Sequence, residues 1–113
     1  MKVYNKTRFD DSMIKNIMKA ARVTSTGTIS ALHIWHVSDL DCSGICEYLN
    51  NGEVIVKVRS ESVNALSTLA HELKHVAQLS HGMGDWMDAA CETDKHSERW
   101  HEIEAIEFSK RYA

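Results

Sequence analysis

The sequence predicts an α+β domain in which helices pack against a small, mostly antiparallel sheet. Three observations predict it. Met13, Ile14, Ile17, Met18 and Ala21 recur at helical spacing near the N-terminus. Between residues 29 and 59, short apolar or alternating runs are separated by turn residues. Beyond that, two long segments return to the helical period.

In chain order, Asp10, Asp11 and Ser12 offer N-caps to a first helix over about residues 11–22, whose Met and Ile stripe reads as core. Residues 24–28 form a loop, and Ile29 to Val37 suits a strand. Ser38 to Asp41 turns the chain. Ile45 to Leu49 and Val54 to Val58 then form a hairpin around Asn50-Asn51-Gly52. Val54, Val56 and Val58 alternate with Ile55, Lys57 and Arg59, so one face of that strand is wetter. Ser60 or Ser62 caps the next helix, and Gly82 suits the left-handed position that closes it. Met83 to Cys91 is a connector placed to form one rim of a cleft. Thr93 or Asp94 starts the last helix, which runs to about Arg111.

Length and composition bound the class of protein. The 113 residues make one domain, 1–113, with 43% hydrophobic and 26% charged residues, as in ordinary globular chains. No apolar run is long enough to span a bilayer, and Met1 to Lys6 lacks the apolar centre of a signal peptide, so a cytoplasmic location is expected. A net charge of −3 without a basic run argues against nucleic acid as a partner. Cys42, Cys46 and Cys91 read as reduced thiols rather than a disulfide framework.

The chemistry concentrates in Thr68 to Gln78. His71-Glu72-x-x-His75 is the zinc-helix signature: residues i and i+4 of a helix lie one above the other, so two imidazoles reach one ion. By composition alone the motif would arise by chance in roughly 3% of such chains. Leu66, Leu69, Leu73, Val76 and Ala77 share one stripe, and both His fall near the opposite side, toward a cleft. Glu72 stands beside the first ligand, where a carboxylate can take a proton from an activated water.

A catalytic zinc needs a third protein ligand. On the last helix, Glu102 lies between two apolar flanks: Ala105, Phe108 and Tyr112 on one side, Ile103 and Ile106 on the other. Glu104, Glu107 and Arg111 point away. A carboxylate buried between such flanks is costly unless a cation compensates it. Glu98, one turn earlier, is the second choice as ligand and the first as acceptor for a ligating His.

Thr68 to Gln78, followed by Glu102-x-x-Ala105, resembles the gluzincin metallopeptidases. Within them it is similar to the short ImmA/IrrE-type domains with their TLAHELxH run, and to small HELxHVxQ-bearing bacterial and phage domains. The resemblance covers roughly the C-terminal two thirds of the chain. It implies a minimal zincin-like fold with the third ligand on the C-terminal helix. It also implies zinc on His71, His75 and Glu102, and Glu72 as general base. Two positions depart from the pattern. Ile106 stands where those families place Asp or Asn, and Lys74 replaces a small residue between the two His. In gluzincins the strand before the metal helix commonly pairs with extended substrate. Glu53 to Arg59 is therefore either such a strand or an internal one.

Other metal sites fit less well. His81 completes the metzincin spacing, but Gln78 stands where that family needs Gly. On a straight helix His81 is about 15 Å along the axis from His71, too far to share an ion. It reads as a helix C-terminal cation or a cleft-edge group. Cys42 and Cys46 with His33 and His36 do not make a four-ligand site, because His33 and His36 face opposite sides of a strand. His96, His101 and Tyr112 are alternative donors to the oxyanion of a tetrahedral intermediate.

The function expected is a zinc-dependent peptidase acting on peptides or proteins, with no nucleic-acid or membrane partner and with a protein partner completing the cleft. The alternative is a zinc-bearing regulatory or interaction module of the same fold without turnover.

Overall fold

The computed structural model describes residues 1–24, 29–49, 51–60, 63–81 and 100–113. Among them the chain forms a small α+β domain with a four-stranded mixed sheet and three helices. The order is β1 (Lys2–Lys6), α1 (Asp11–Ala21), β2 (Ala31–Val37), β3 (Gly44–Tyr48), β4 (Glu53–Arg59), α2 (Ala65–Ser80) and α3 (Trp100–Ser109). A 3-10 turn, Lys110–Tyr112, follows.

The sheet order is β1-β2-β4-β3. β1 and β2 run parallel, as do β2 and β4, and only β3 with β4 is antiparallel. The expected mostly antiparallel sheet is thus corrected to a mixed one. The physical reason lies in the connections. α1 separates β1 from β2, and a helix-containing crossover returns the chain in the same direction. β4 then inserts between β2 and β3, so the tight hairpin supplies the one antiparallel ladder. Glu53–Arg59 is internal, and β3 is the edge strand on that side of the sheet.

Each element has a local cause. Asp10 caps α1, its Oδ1 accepting the Ser12 N–H at 2.9 Å, and Arg22 closes it in the left-handed region at φ 67°. That hydrogen bond holds the exposed Asp10 carboxyl below its ordinary pKa. In the β3–β4 hairpin Gly52 takes φ 87°, a conformation that L side chains rarely adopt. Asn51 Oδ1 accepts the Glu53 N–H at 3.0 Å. α2 begins at Ala65 after Asn64, with no side-chain cap, so Ser60 is not its N-cap; the Ser60 N–H instead reaches the Val37 carbonyl. Ser62, Gly82, the 83–91 connector and the start of the last helix lie outside the described residues.

The core sits between the sheet and the helices. Ile14, Ile17 and Ala21 of α1 meet Leu32 and Ile34 of β2 and Val54, Val56 and Val58 of β4. Leu69, Ala70, Leu73, Val76 and Ala77 of α2 complete it with Phe108 of α3. A fully buried Val or Leu contributes roughly 1.5–3 kcal/mol. α2 is central, in contact with α1, β3, β4 and α3. It is therefore buried on two sides: the apolar stripe against α1 and the sheet, and His75 and Gln78 against α3. No described helix is long and apolar enough to cross a membrane.

Candidate metal centre

α2 and α3 bring three donors together. His71, His75 and Glu102 each offer a ligand atom, all within 4.8 Å of one another, and the cluster can hold a metal ion. His75 Nε2 is 2.6 Å from Glu102 Oε1, and His71 Nε2 is 3.3 Å from Glu102 Oε2. The two imidazole planes stand at 83°, with centroids 4.9 Å apart. Four-coordinate bonds of about 2.1 Å imply donors about 3.4 Å apart, so small adjustments would seat an ion.

The local fold explains the convergence. The i, i+4 spacing puts both imidazoles on the α2 face that meets α3. On α3, His101, Glu102, Ala105, Phe108 and Ser109 are buried, whereas Ile103 is 48% exposed. The expected apolar flank of Ile103 and Ile106 is thus corrected: Glu102 points inward because Ala105 and Phe108 anchor the helix, with Ile103 turned to solvent.

Electrostatics follow from burial. Burial alone would push the Glu102 carboxyl up, but hydrogen bonds from His71 and His75, with their charge, hold it well below the carboxylate range. For His75, burial acts downward, and Glu102, Glu72 and Gln78 together raise it above the ordinary imidazole value. Glu72 is 6% exposed, and burial raises its pKa, with the Glu102 charge adding to the effect and the two imidazoles opposing it. Its Oε1 lies 3.8 Å from His71 Nε2. Its Oε2 is buried without a hydrogen-bond partner among the described residues. A buried carboxylate oxygen without a hydrogen-bond partner is costly unless a donor meets it.

Next to Glu72 opens a cavity of about 230 Å³ lined by Ser43, Gly44, Ser67, Thr68, His71, Glu72 and Ser109. Gly44 of β3 makes it: a Cβ there would lie 2.5 Å from Thr68 Cγ2 and 3.2 Å from Glu72 Cγ. The edge strand therefore approaches α2 as closely as a bare backbone allows.

The remaining expected groups sit elsewhere or nearby. The His81 Nε2–H donates to the Arg22 carbonyl at 2.8 Å, linking the ends of α2 and α1, and His81 is not among the three donors. His33 stacks on Tyr4 with centroids 4.9 Å apart, and His36 packs on Phe9. Cys42 is exposed and bonds the Gly44 carbonyl. Burial, with the charges of Glu72 and Glu47, raises the Cys46 thiol well above its usual value. The ring of His101 is 5.9 Å from that of His75, whereas Tyr112 packs on Phe108. Glu98, His96 and Cys91 lie outside the described residues. Lys74 has a structural use: its Nζ donates to the Ala21 carbonyl at 3.2 Å and lies 3.8 Å from Glu104.

In the sequence Gln78 is the last residue of the HELxHVxQ run and stands where metzincins need Gly, with no role of its own. The structure places it against His75, with its Nε2 reaching α3. The available signal was spacing, since i and i+3 share a helix face. Comparison of the chain with protein-family models, with curated proteins and with solved structures finds no match.

Proposed function

We propose that this domain is a zinc-dependent peptidase of gluzincin type, with a minimal zincin-like fold. One observation carries the reading. A buried carboxylate, Glu72, stands beside a two-imidazole, one-carboxylate donor set with one of its oxygens unpartnered among the described residues. Two His and one Glu are a set that zinc takes in catalytic sites.

His71, His75 and Glu102 would hold the ion. Bound there, zinc would supply Lewis-acid polarisation of a scissile carbonyl and lower the pKa of a water toward neutrality. Glu72 takes a proton from the water as its oxygen attacks the carbonyl carbon. It then gives that proton to the leaving nitrogen as the C–N bond breaks. The cavity lined by Ser43, Ser67, Thr68 and Ser109 takes a substrate side chain next to the scissile bond. β3, an edge strand among the described elements, offers main-chain groups to an extended peptide.

The test is Glu72→Gln. The variant is expected to bind zinc as the wild type does and to lose peptide hydrolysis by about 10²–10⁴-fold. Full activity in the variant defeats the mechanism. Wild type that binds zinc stoichiometrically and cleaves nothing in a peptide library favours a regulatory or interaction module instead.

A further inference from the structure

We propose that Gln78 is a positioning residue. It fixes His75 as the Nδ1–H tautomer and holds α3, with Glu102, at ligand distance. The inference rests on the metal reading above. Its starting point is the amide itself, which is buried and 2% exposed.

The orientation of that amide is determined by its partners. Nε2 is 2.9 Å from the His101 carbonyl and 3.0 Å from Glu104 Oε1, two groups that only accept. Rotating the amide would set its oxygen against both. Nε2 therefore donates twice, and Oε1 faces His75 Nδ1 at 2.8 Å. An acceptor at that distance requires a hydrogen on Nδ1. Without a metal, Nε2 also carries a hydrogen, donated to Glu102. A metal at that atom would displace this hydrogen, while the Nδ1 hydrogen stays with Gln78, so the lone pair offered to the metal would be at Nε2. Nε2 is the atom that faces Glu102, at 2.6 Å. The same hydrogen bond stops the ring from turning about its own axis.

The two donated bonds reach α3 on either side of Glu102, at residues 101 and 104. One side chain thus sets the tautomer of one donor and the placement of the helix that carries another. With Gln78 buried, no bulk water is at hand to substitute for it.

The experiment measures zinc affinity by competition with a chelating dye, and the absorption spectrum of the cobalt(II)-loaded protein, which reports the ligand set. Far-UV circular dichroism of each variant checks its fold. Gln78→Met keeps the length and removes the acceptor and both donors. It is expected to bind zinc 10–100-fold more weakly and to shift the cobalt bands. The double variant Gln78→Glu/Glu104→Gln restores an acceptor for His75 and a donor from position 104, but leaves the His101 carbonyl without its donor. It is expected to bind zinc more tightly than Gln78→Met, less tightly than the wild type, and with the wild-type cobalt spectrum. Wild-type affinity and spectrum in Gln78→Met overturn the proposal. So does a folded double variant that binds as weakly as Gln78→Met. Should Gln78→Met fail to fold, the double variant alone decides. Wild type that takes up no zinc overturns the metal reading itself, a result seen in the first titration, before any variant is compared.

Discussion

Gly44→Ala is the change whose consequence is worked most directly from the structure. The added methyl would sit 2.5 Å from Thr68 Cγ2, 3.2 Å from Glu72 Cγ and 3.3 Å from the Lys57 carbonyl oxygen. The first distance is far inside van der Waals contact, so something must move. Thr68 is β-branched and within a helix, which leaves it few rotamers to retreat to. The Lys57 carbonyl belongs to β4 and is held in the sheet. Either β3 lifts from α2 or α2 shifts on the core. Overpacking of this kind costs typically about 1–3 kcal/mol. A domain of 113 residues unfolds with an entropy of about 0.24 kcal/mol/K, so each kcal/mol moves Tm by about 4 °C. Thermal unfolding followed by circular dichroism should show Tm lower by about 4–13 °C. Thr68→Ser removes the clashing methyl, so Gly44→Ala/Thr68→Ser should recover part of the loss, with a coupling of about 0.5–3 kcal/mol in the double-mutant cycle. Because the contact with Glu72 survives, the proposed peptide hydrolysis should be lower than wild type in both Gly44→Ala and the double variant. A Tm for Gly44→Ala equal to wild type, or no coupling with Thr68→Ser, refutes the argument that β3 and α2 meet at this glycine.

Two further outcomes are expected. Glu102→Ala removes one of three donors and should lower zinc affinity at least 10–100-fold while the protein stays folded; equal uptake in the chelator competition would take Glu102 out of the site. Without metal, the His75–Glu102 pair should stabilise the wild type over Glu102→Gln in a pH window. His75, with its raised pKa, contributes below about pH 6.5 and loses its contribution as pH rises through its folded value. Glu102, with its lowered pKa, contributes above about pH 4.3 and loses it as pH falls through its folded value. The Tm advantage in excess chelator should therefore peak between about pH 4.5 and 6.5. An advantage that grows from pH 6 to 9 contradicts the assignment.

Parts of this molecule are legible in its sequence. The i, i+4 pair in α2 and the apolar stripe behind it fix that helix, because both obey the helical period. Glu102 is legible as a carboxylate between apolar residues whose burial a cation would offset, and Ala105 and Phe108 do turn it inward. β1 was not legible. Lys2-Val3-Tyr4-Asn5-Lys6 has no apolar alternation, and four of its five residues are exposed. Without β1, α1 does not read as a crossover, and the β1–β2 ladder is hidden with it. The β2–β4 ladder is hidden for another reason, since hydrophobic patterning does not say that β4 inserts between β2 and β3. Ile103 was misplaced because hydrophobicity alone does not say which flank of a helix meets its neighbour. Gly44 carried a usable signal, since a glycine inside a strand often marks a close backbone approach.

The two outermost strands of the sheet are not equivalent. β1 carries Lys2 and Lys6 at its ends, and ammonium groups on a border strand discourage another chain from joining. β3 carries a single ionisable acid, Glu47, and Lys57 neutralises it from the neighbouring strand at 3.4 Å. A strand added beside β1 would thus be laid against two ammonium groups, whereas one added beside β3 would meet only the Glu47–Lys57 pair. Of the two borders among the described strands, the one next to Gly44 and Glu72 is therefore the less guarded.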